Sequence, residues 1–116
     1  MSSSDCLFCR IVEGQIPANI VGSSDEALAF TDINPKAPVH ILIIPKLHLA
    51  SVSDVGPEHS NILSEMLGLA NEQARTEAVT ESGFRLVVNN GRDAGQSVDH
   101  LHLHLLAGRA MTWPPG

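Results

Sequence analysis

Alternating apolar and polar residues predict five strands along this 116-residue chain. The strongest strand signal covers residues 39–44, where apolar side chains point to both faces, as is typical of the buried centre of a sheet. Turn-forming residues separate this segment from shorter apolar runs before and after it. The other predicted strands cover residues 20–21, 27–30, 84–89 and 99–106.

Two segments have the helical spacing of apolar side chains. The longer helix is predicted over 57–78, with Pro57 in its first turn, and its apolar stripe should pack on one face of the sheet. The shorter helix is predicted over 5–13, with Asp5 as its N-cap. The length of the chain fits one domain, which we expect to span residues 1–116.

The most distinctive pattern is the alternation of His100, His102 and His104 with leucines in the last predicted strand. Successive side chains of a strand point to opposite faces, so the three histidines should share one face. Because imidazole titrates near neutral pH and binds metals, this pattern indicates chemistry. At roughly 3.3 Å per residue, His100 and His104 lie about 13 Å apart, too far for one zinc ion. We therefore expect separate roles; an ordinary half-buried strand with a solvated polar face is the alternative.

Charge and composition exclude several kinds of partner. The formal net charge is −6, and no cluster of Lys or Arg is present, so we expect neither nucleic-acid binding nor binding to an anionic membrane. No run of about 18 apolar residues predicts a membrane span. The segment Met1 to Asp5 lacks the basic start and apolar core of a secretory signal, so a cytoplasmic location is expected by default.

Cys6 and Cys9 form a Cys-x-x-Cys pair on one side of the short predicted helix. Redox catalysis is one interpretation, but no βαβ pattern surrounds the pair. A second interpretation is a plain buried pair of thiols. A third is half of a zinc site, provided that two further ligands come from elsewhere in the chain.

Loop residues supply further candidate contacts. Asp32 follows a predicted strand, where it could contact a ligand or form a turn by bonding its own backbone. The loop 90–97 contains two glycines and Ser97 directly before the histidines, a position that favours phosphate binding. Trp113 is interpreted either as an anchor for a partner chain or as a residue that folds back on its own subunit.

The histidine and leucine alternation of 100–106 resembles the signature of the histidine triad family of nucleotide hydrolases and transferases. The resemblance extends over nearly the whole chain and includes the segments 5–17, 28–33, 37–40, 44–46, 95–97 and 113–116. The last of these, Trp-Pro-Pro-Gly, indicates the branch of nucleoside phosphoramidases rather than the dinucleoside polyphosphate hydrolases.

The resemblance implies an α+β fold with a five-stranded antiparallel sheet, one long helix and one short helix, and a homodimer whose sheets join across the interface. It implies hydrolysis of the P–N bond of purine nucleoside 5′-phosphoramidates of the AMP type through a covalent nucleotidyl-histidine. Three alternatives stay open. They are hydrolysis of dinucleoside polyphosphates or adenylylated sulfate, a zinc-dependent hydrolase, and a nucleotide-binding adaptor with incidental catalysis.

The family's catalytic roles can be carried over to four residues. His102 resembles the nucleophile that attacks the α-phosphorus, which divides one displacement into two in-line steps. His104 and Ser97 resemble the donors that stabilise charge on the phosphate oxygens. His40 resembles the histidine that completes the catalytic group.

Binding roles follow from the same resemblance. Asp32 matches the carboxylate that accepts the ribose hydroxyls, and Trp113 is expected to reach the partner subunit's site. The remaining nucleotide contacts that the resemblance implies are Ile16, Phe30, Ile33, Asn89, Gly95, Gln96, Ser97 and His104. A structural zinc is implied with the ligands Cys6, Cys9, His48 and His100. Asp99 departs from the branch, which usually has an aromatic residue there, and we expect its carboxylate at an exposed strand start.

Overall fold

The computed structural model describes residues 5–116, so most of the N-terminal segment that we do not expect to be a secretory signal lies outside the described residues. Seven main elements occur in the described part of the chain. In order, they are α1 (Leu7–Val12), β1 (Ile20–Ser23), β2 (Ala27–Thr31), β3 (Val39–Pro45), α2 (Ser60–Thr76), β4 (Phe84–Val88) and β5 (Leu103–Ala107). The five strands and the two helices confirm the predicted α+β class. No helix among the described residues is long and apolar enough to cross a membrane.

The strands form one antiparallel sheet in the order β1-β2-β3-β5-β4. The apolar strand β3 is central, as its sequence predicts, and it pairs with β2 on one side and β5 on the other. The register between β3 and β5 places His40 opposite Leu106 and Leu42 opposite His104. This register brings the histidines of two neighbouring strands close together.

The two helices cover opposite faces of the sheet. Helix α2 packs on the face formed by Ile41 and Ile43 of β3 and by Leu103 and Leu105 of β5, where its own buried side chains complete the larger core cluster. Leu42 and Ile44 point the other way and cluster with Phe8 of α1. Because His104 pairs with Leu42 in the sheet, the histidines lie on the α1 face and not on the face that α2 covers.

Strand β5 begins at Leu103, so the prediction of a strand over 99–106 is wrong at its start. The backbone N–H of Leu101 donates to the carbonyl of Leu49 (2.6 Å) instead of to a neighbouring strand. The alternation of side chains continues through this irregular segment, because Leu101 joins Leu103 and Leu105 in the larger core cluster. His100 and His102 therefore lie before the strand, and only His104 lies within it.

The helix starts also differ from the prediction. Cys6, not Asp5, is the N-cap of α1, because its Sγ accepts a hydrogen bond from the backbone N–H of Cys9 (3.2 Å). Helix α2 begins at Ser60, since Pro57–His59 form a separate turn of 3-10 helix. Proline fits that turn because it needs no backbone donor.

Candidate active site

An apolar cleft of about 260 Å³ opens on the α1 face of the sheet. Helix α1 and the segment that follows it form part of its wall, and β2 forms another part. Five polar side chains also line it: Thr31, Asp32, Ser97, His102 and His104. A mostly apolar cleft with a few converging polar groups is typical of a small-molecule site.

His40 and His104 form a hydrogen-bonded pair whose tautomers are set by the backbone. The N–H of Lys36 donates to Nδ1 of His40 (3.0 Å), so neutral His40 carries its proton on Nε2. That Nε2 lies 3.0 Å from Nδ1 of His104 and donates to it. His104 must then carry its own proton on Nε2. The relay leaves His104, which lines the cleft, with an N–H group available to a ligand.

His102 has the opposite tautomer. Its Nδ1 lies 2.7 Å from the carbonyl oxygen of His100, so Nδ1–H donates there and Nε2 keeps a free lone pair. The ring is buried, and its centroid lies 5.0 Å from that of His104. An unprotonated nitrogen beside an N–H donor is the arrangement needed to attack a phosphorus atom and to bind its oxygen.

Asp32 combines the two roles that its sequence position allows. Its Oδ1 accepts a hydrogen bond from the backbone N–H of Asn34 (2.8 Å), which is the turn-forming role. Its Oδ2 lies 3.4 Å from Nε2 of His40, and the residue lines the cleft. One carboxylate therefore closes the turn and also presents an oxygen near the histidine pair.

Asp32, His40 and His104 also offer three ligand atoms within 4.8 Å of one another, which is close enough for a metal ion. The hydrogen bond from Lys36 argues against that use, because it places a proton on the His40 nitrogen that would face the metal. A metal ligand needs a lone pair at that atom. We therefore interpret these residues as a proton-ordered relay.

Burial keeps the relay neutral. It lowers the pKa of His104 to about 4. The charges of His102 and His40 also lower this pKa, whereas the carboxylate of Asp32 raises it. Burial also lowers the pKa of His40, more than the carboxylate of Asp32 raises it. Both rings are therefore neutral near pH 7, as the tautomer relay requires.

Lowering the pH should destabilise the protein through His104. The unfolded chain titrates this residue near 6.5 and the folded protein near 4, so the unfolded state binds more protons between these values. The contribution of neutral His104 to the free energy of unfolding is therefore fully present above about pH 6.5, and it is lost as the pH decreases towards 4. Thermal unfolding followed from pH 7.5 to 4.5 measures this loss. His104→Gln should show a shallower fall in Tm, and an unchanged slope in that variant would contradict the assignment.

A second cluster lies beside the cleft, where the structure brings Cys6, Cys9, His48 and His100 together. Nδ1 of His48 lies 3.1 Å from Sγ of Cys9, and Nδ1 of His100 lies 3.3 Å from Sγ of Cys6. All four ligand atoms lie within 4.8 Å of one another. Bond lengths of about 2.1 and 2.3 Å around a tetrahedral zinc require separations of roughly 3.5 Å. These side chains are thus near enough to bind one metal ion.

The surroundings of His100 suit a metal ligand. Its Nε2–H donates to the carbonyl of Pro45 (2.9 Å), so Nδ1 presents its lone pair to the thiols. Burial lowers the pKa of His100, which keeps that nitrogen unprotonated, and the nearby His48 and His102 act in the same direction. The ring is fully buried, although it lies outside the strand that the sequence predicted.

The other predicted contacts divide into two groups. Ile16, Phe30, Ile33 and Ser97 line the cleft together with the histidines. Within residues 5–116, the side chains that line it do not include Asn89, Gly95, Gln96 or Trp113. Trp113 is 84% exposed, and Asp99 is exposed as expected, although it precedes the strand.

The amide of Gln96 is occupied within the protein. Its oxygen accepts from the N–H of Gly91 (2.9 Å), and its nitrogen donates to the carbonyls of Ala50 (2.8 Å) and Val98 (3.0 Å). The side chain therefore ties the glycine-containing loop to a neighbouring segment. This contact supports a positioning role for Gln96 beside Ser97.

Several cleft residues were not predicted as site residues. Leu7, Phe8 and Ile11 belong to the apolar side of α1, and the others are Pro17, Ala18, Thr31, Leu42 and Val98. The helical spacing identified the first three as apolar but did not show what they would contact. The Lys36 donor is a backbone group, for which no side-chain signal exists in the sequence.

This fold and site agree with a known family. A family model of the HIT domain matches residues 13–111. The chain therefore belongs to the HIT, or histidine triad, family, which confirms the resemblance.

Three relatives illustrate the similarity. The chain is 42% identical over 109 residues to the purine nucleoside phosphoramidase of Escherichia coli, with 94% of this chain and 92% of that protein covered. It is 44% identical over 117 residues to adenylylsulfatase HINT1 of Arabidopsis thaliana, with 99% and 79% covered. The crystal structure of a HIT family hydrolase from Legionella pneumophila superposes with a TM-score of 0.94 at 51% identity, covering 97% of this chain and 100% of that chain.

Proposed function

We propose that this protein is a nucleotide hydrolase that cleaves the P–N bond of purine nucleoside 5′-phosphoramidates of the AMP type. The observation that carries the proposal is the pair of opposite tautomers in the cleft, a free Nε2 on His102 beside an N–H on His104. The name of the E. coli relative supports the substrate class. The apolar walls of the cleft suit a nucleoside base.

The reaction takes two in-line steps. Nε2 of His102 attacks the α-phosphorus, and the electron pair of the breaking P–N bond leaves with the amine, which takes up a proton. The product of this step is a nucleotidyl-His102. Water then attacks the same phosphorus, releases the nucleoside monophosphate and returns the lone pair to His102.

Charge on the phosphate oxygens is stabilised by two donors that line the cleft. Nε2–H of His104 is held in the donor form by the relay from Lys36 through His40. The Ser97 hydroxyl supplies a second donor. Donors that are oriented before the reaction stabilise the transition state without a reorganisation cost.

Asp32 is proposed to accept the two ribose hydroxyls, and Asp32→Asn tests this role. The amide oxygen can still accept from the backbone of Asn34, so the turn should survive. Affinity for AMP should fall about tenfold or more, because hydrogen bonds to a charged acceptor are lost. Calorimetry with 2′,3′-dideoxy-AMP is the matched control, since that ligand lacks both hydroxyls. An equal loss for both ligands would rule out ribose recognition by Asp32.

Adenylylated sulfate is the second candidate substrate, because the Arabidopsis relative is named an adenylylsulfatase. Rates on an adenosine 5′-phosphoramidate, adenosine 5′-phosphosulfate and a diadenosine polyphosphate, measured side by side, distinguish the candidates. The phosphoramidate should give the highest kcat/KM. Tight AMP binding with negligible turnover of all three would instead favour a nucleotide-binding adaptor.

We further propose that one HIT domain spans residues 1–116 and forms a homodimer. Strand β4 is an edge of the sheet, and an edge strand carries unpaired backbone groups that a second copy can bind. The exposed Trp113 is available to reach a partner subunit's site. The cytoplasmic location stays a prediction.

A structural zinc ion is proposed at Cys6, Cys9, His48 and His100. Two thiolates and two imidazoles form a closed tetrahedral set, which is typical of a structural rather than a catalytic site. When bound, the ion would cross-link three segments of the chain. The chemistry on phosphorus is carried out by the chain's own side chains.

A further inference from the structure

Helix α1 takes part in both clusters of the protein. Cys6 is the N-cap of this helix and Cys9 lies within it, and the Sγ atoms of both face the histidines of the proposed metal site. Leu7, Phe8 and Ile11 of the same helix line the nucleotide cleft. Because the helix has only six residues, a shift of its cysteine side also shifts its cleft side.

Phe8 makes the side-chain contact between the two clusters. Its ring packs edge to face on His100, with centroids 5.9 Å apart, and on His102, with centroids 5.2 Å apart. The same ring also contacts Phe30 in the cleft wall (5.4 Å). Phe8 is only 5% exposed, so it cannot move without disturbing these neighbours.

A hydrogen bond from a side chain to a backbone carbonyl provides a second link. The carbonyl of His100, a proposed metal ligand, accepts the proton of Nδ1 of His102, the proposed nucleophile (2.7 Å). The position of His100 therefore affects both the ring that Phe8 contacts and the tautomer of His102. Both links connect the metal cluster with the reacting face of the cleft.

We propose that Phe8 couples the two sites, so that a metal ion at the cysteine and histidine cluster and a nucleotide in the cleft strengthen each other's binding. Binding of either ligand restricts the motion of α1 and of the Phe8 ring. The second ligand then binds at a lower entropic cost, because this part of its site is already ordered. By linkage, each ligand must raise the affinity of the other by the same factor. This inference rests on the proposed function, because the nucleotide has to bind in the cleft.

The test measures both affinities on the full chain, with AMP and Co²⁺ as probes. Calorimetry gives the Kd of AMP for the metal-loaded and the metal-stripped protein. Absorption from cobalt–thiolate bonds gives the Kd of Co²⁺ with and without saturating AMP, at free-metal concentrations set by a chelating buffer. Each affinity should rise by the same factor, of about fivefold or more.

Two phenylalanine variants identify the route of coupling. Phe8→Leu should still bind one Co²⁺ but reduce the factor towards one. Phe84→Leu makes the same change at a phenylalanine that packs against the larger core cluster, on the α2 face of the sheet. This variant should show the same factor of mutual affinity increase as the unmodified protein. A factor that persists in Phe8→Leu would mean that coupling passes through global folding, and it would overturn the proposal.

The outcomes also distinguish this inference from the proposed function. Equal AMP affinity with and without metal overturns the coupling and leaves the nucleotide site in place. Failure of both forms to bind AMP overturns the proposed function and the coupling together. Failure of the cysteine and histidine cluster to bind Co²⁺ overturns the coupling alone. If Phe8→Leu does not fold, the measurements on the unmodified protein still decide whether the two sites are coupled.

Discussion

Replacing His102 by Asn should lower turnover of an adenosine 5′-phosphoramidate by at least about 10⁴-fold, the scale expected when a covalent nucleophile is removed. The Asn side-chain nitrogen can take the place of Nδ1 and still donate to the carbonyl of His100. The variant therefore removes the attacking lone pair while it keeps the hydrogen bond that orients the residue. Steady-state kinetics measure the loss, and calorimetry should give an AMP affinity within a few-fold of the original.

His59→Asn is the matched control for this variant. His59 lies directly before α2 and accepts a hydrogen bond from the N–H of Gly56 (2.9 Å), and it is not among the residues that line the cleft. The same chemical change there should leave turnover unaltered. Near-normal turnover by His102→Asn would show that this histidine is not the nucleophile.

Replacing both Cys6 and Cys9 by Ser should remove the metal and lower the Tm by about 10 °C or more. This estimate assumes that a structural zinc contributes at least a few kcal/mol to folding and that each kcal/mol shifts the Tm by several degrees. Metal analysis and thermal unfolding measure the two effects. A chelator should lower the Tm of the unmodified protein by a similar amount and should not affect the double variant.

Arg10→Ser, a change on the same helix outside the ligand set, should keep the metal and the response to chelator. At saturating substrate and a temperature where the stripped protein stays folded, kcat should survive metal removal. Immediate loss of kcat under those conditions would support a zinc-dependent hydrolase instead. A double variant that melts like the unmodified protein would support thiols that are paired without a metal.

The strands of the sheet could be predicted well because the pattern of apolar residues that identifies each strand lies within the strand itself. Strand β3 is apolar on both faces, and this pattern alone identifies the centre of the sheet. The expectation that His100 and His104 have separate roles agrees with their places in two different clusters, although His100 lies before the strand on which the spacing argument was based. The start of β5 could not be predicted in this way, because it depends on a hydrogen bond between Leu101 and Leu49.

The chemistry of the site depended on contacts that no motif contains. The tautomer of His40 is set by the backbone N–H of Lys36, and that of His102 by the carbonyl of His100. The double role of Phe8 depends on how α1 packs on the sheet. The side chain of Gln96 points its amide into the loop, although its position in the motif suggested a nucleotide contact.

In the proposed mechanism His102 becomes covalently attached to the nucleotide. The most direct measurement is to mix the protein with an adenosine 5′-phosphoramidate, quench within one turnover, digest the chain and find the modified peptide by mass spectrometry. An adenylyl group on His102, absent from His102→Asn, is the predicted result. Rapid product formation with no adenylylated residue, or with the group on another histidine, would contradict the mechanism.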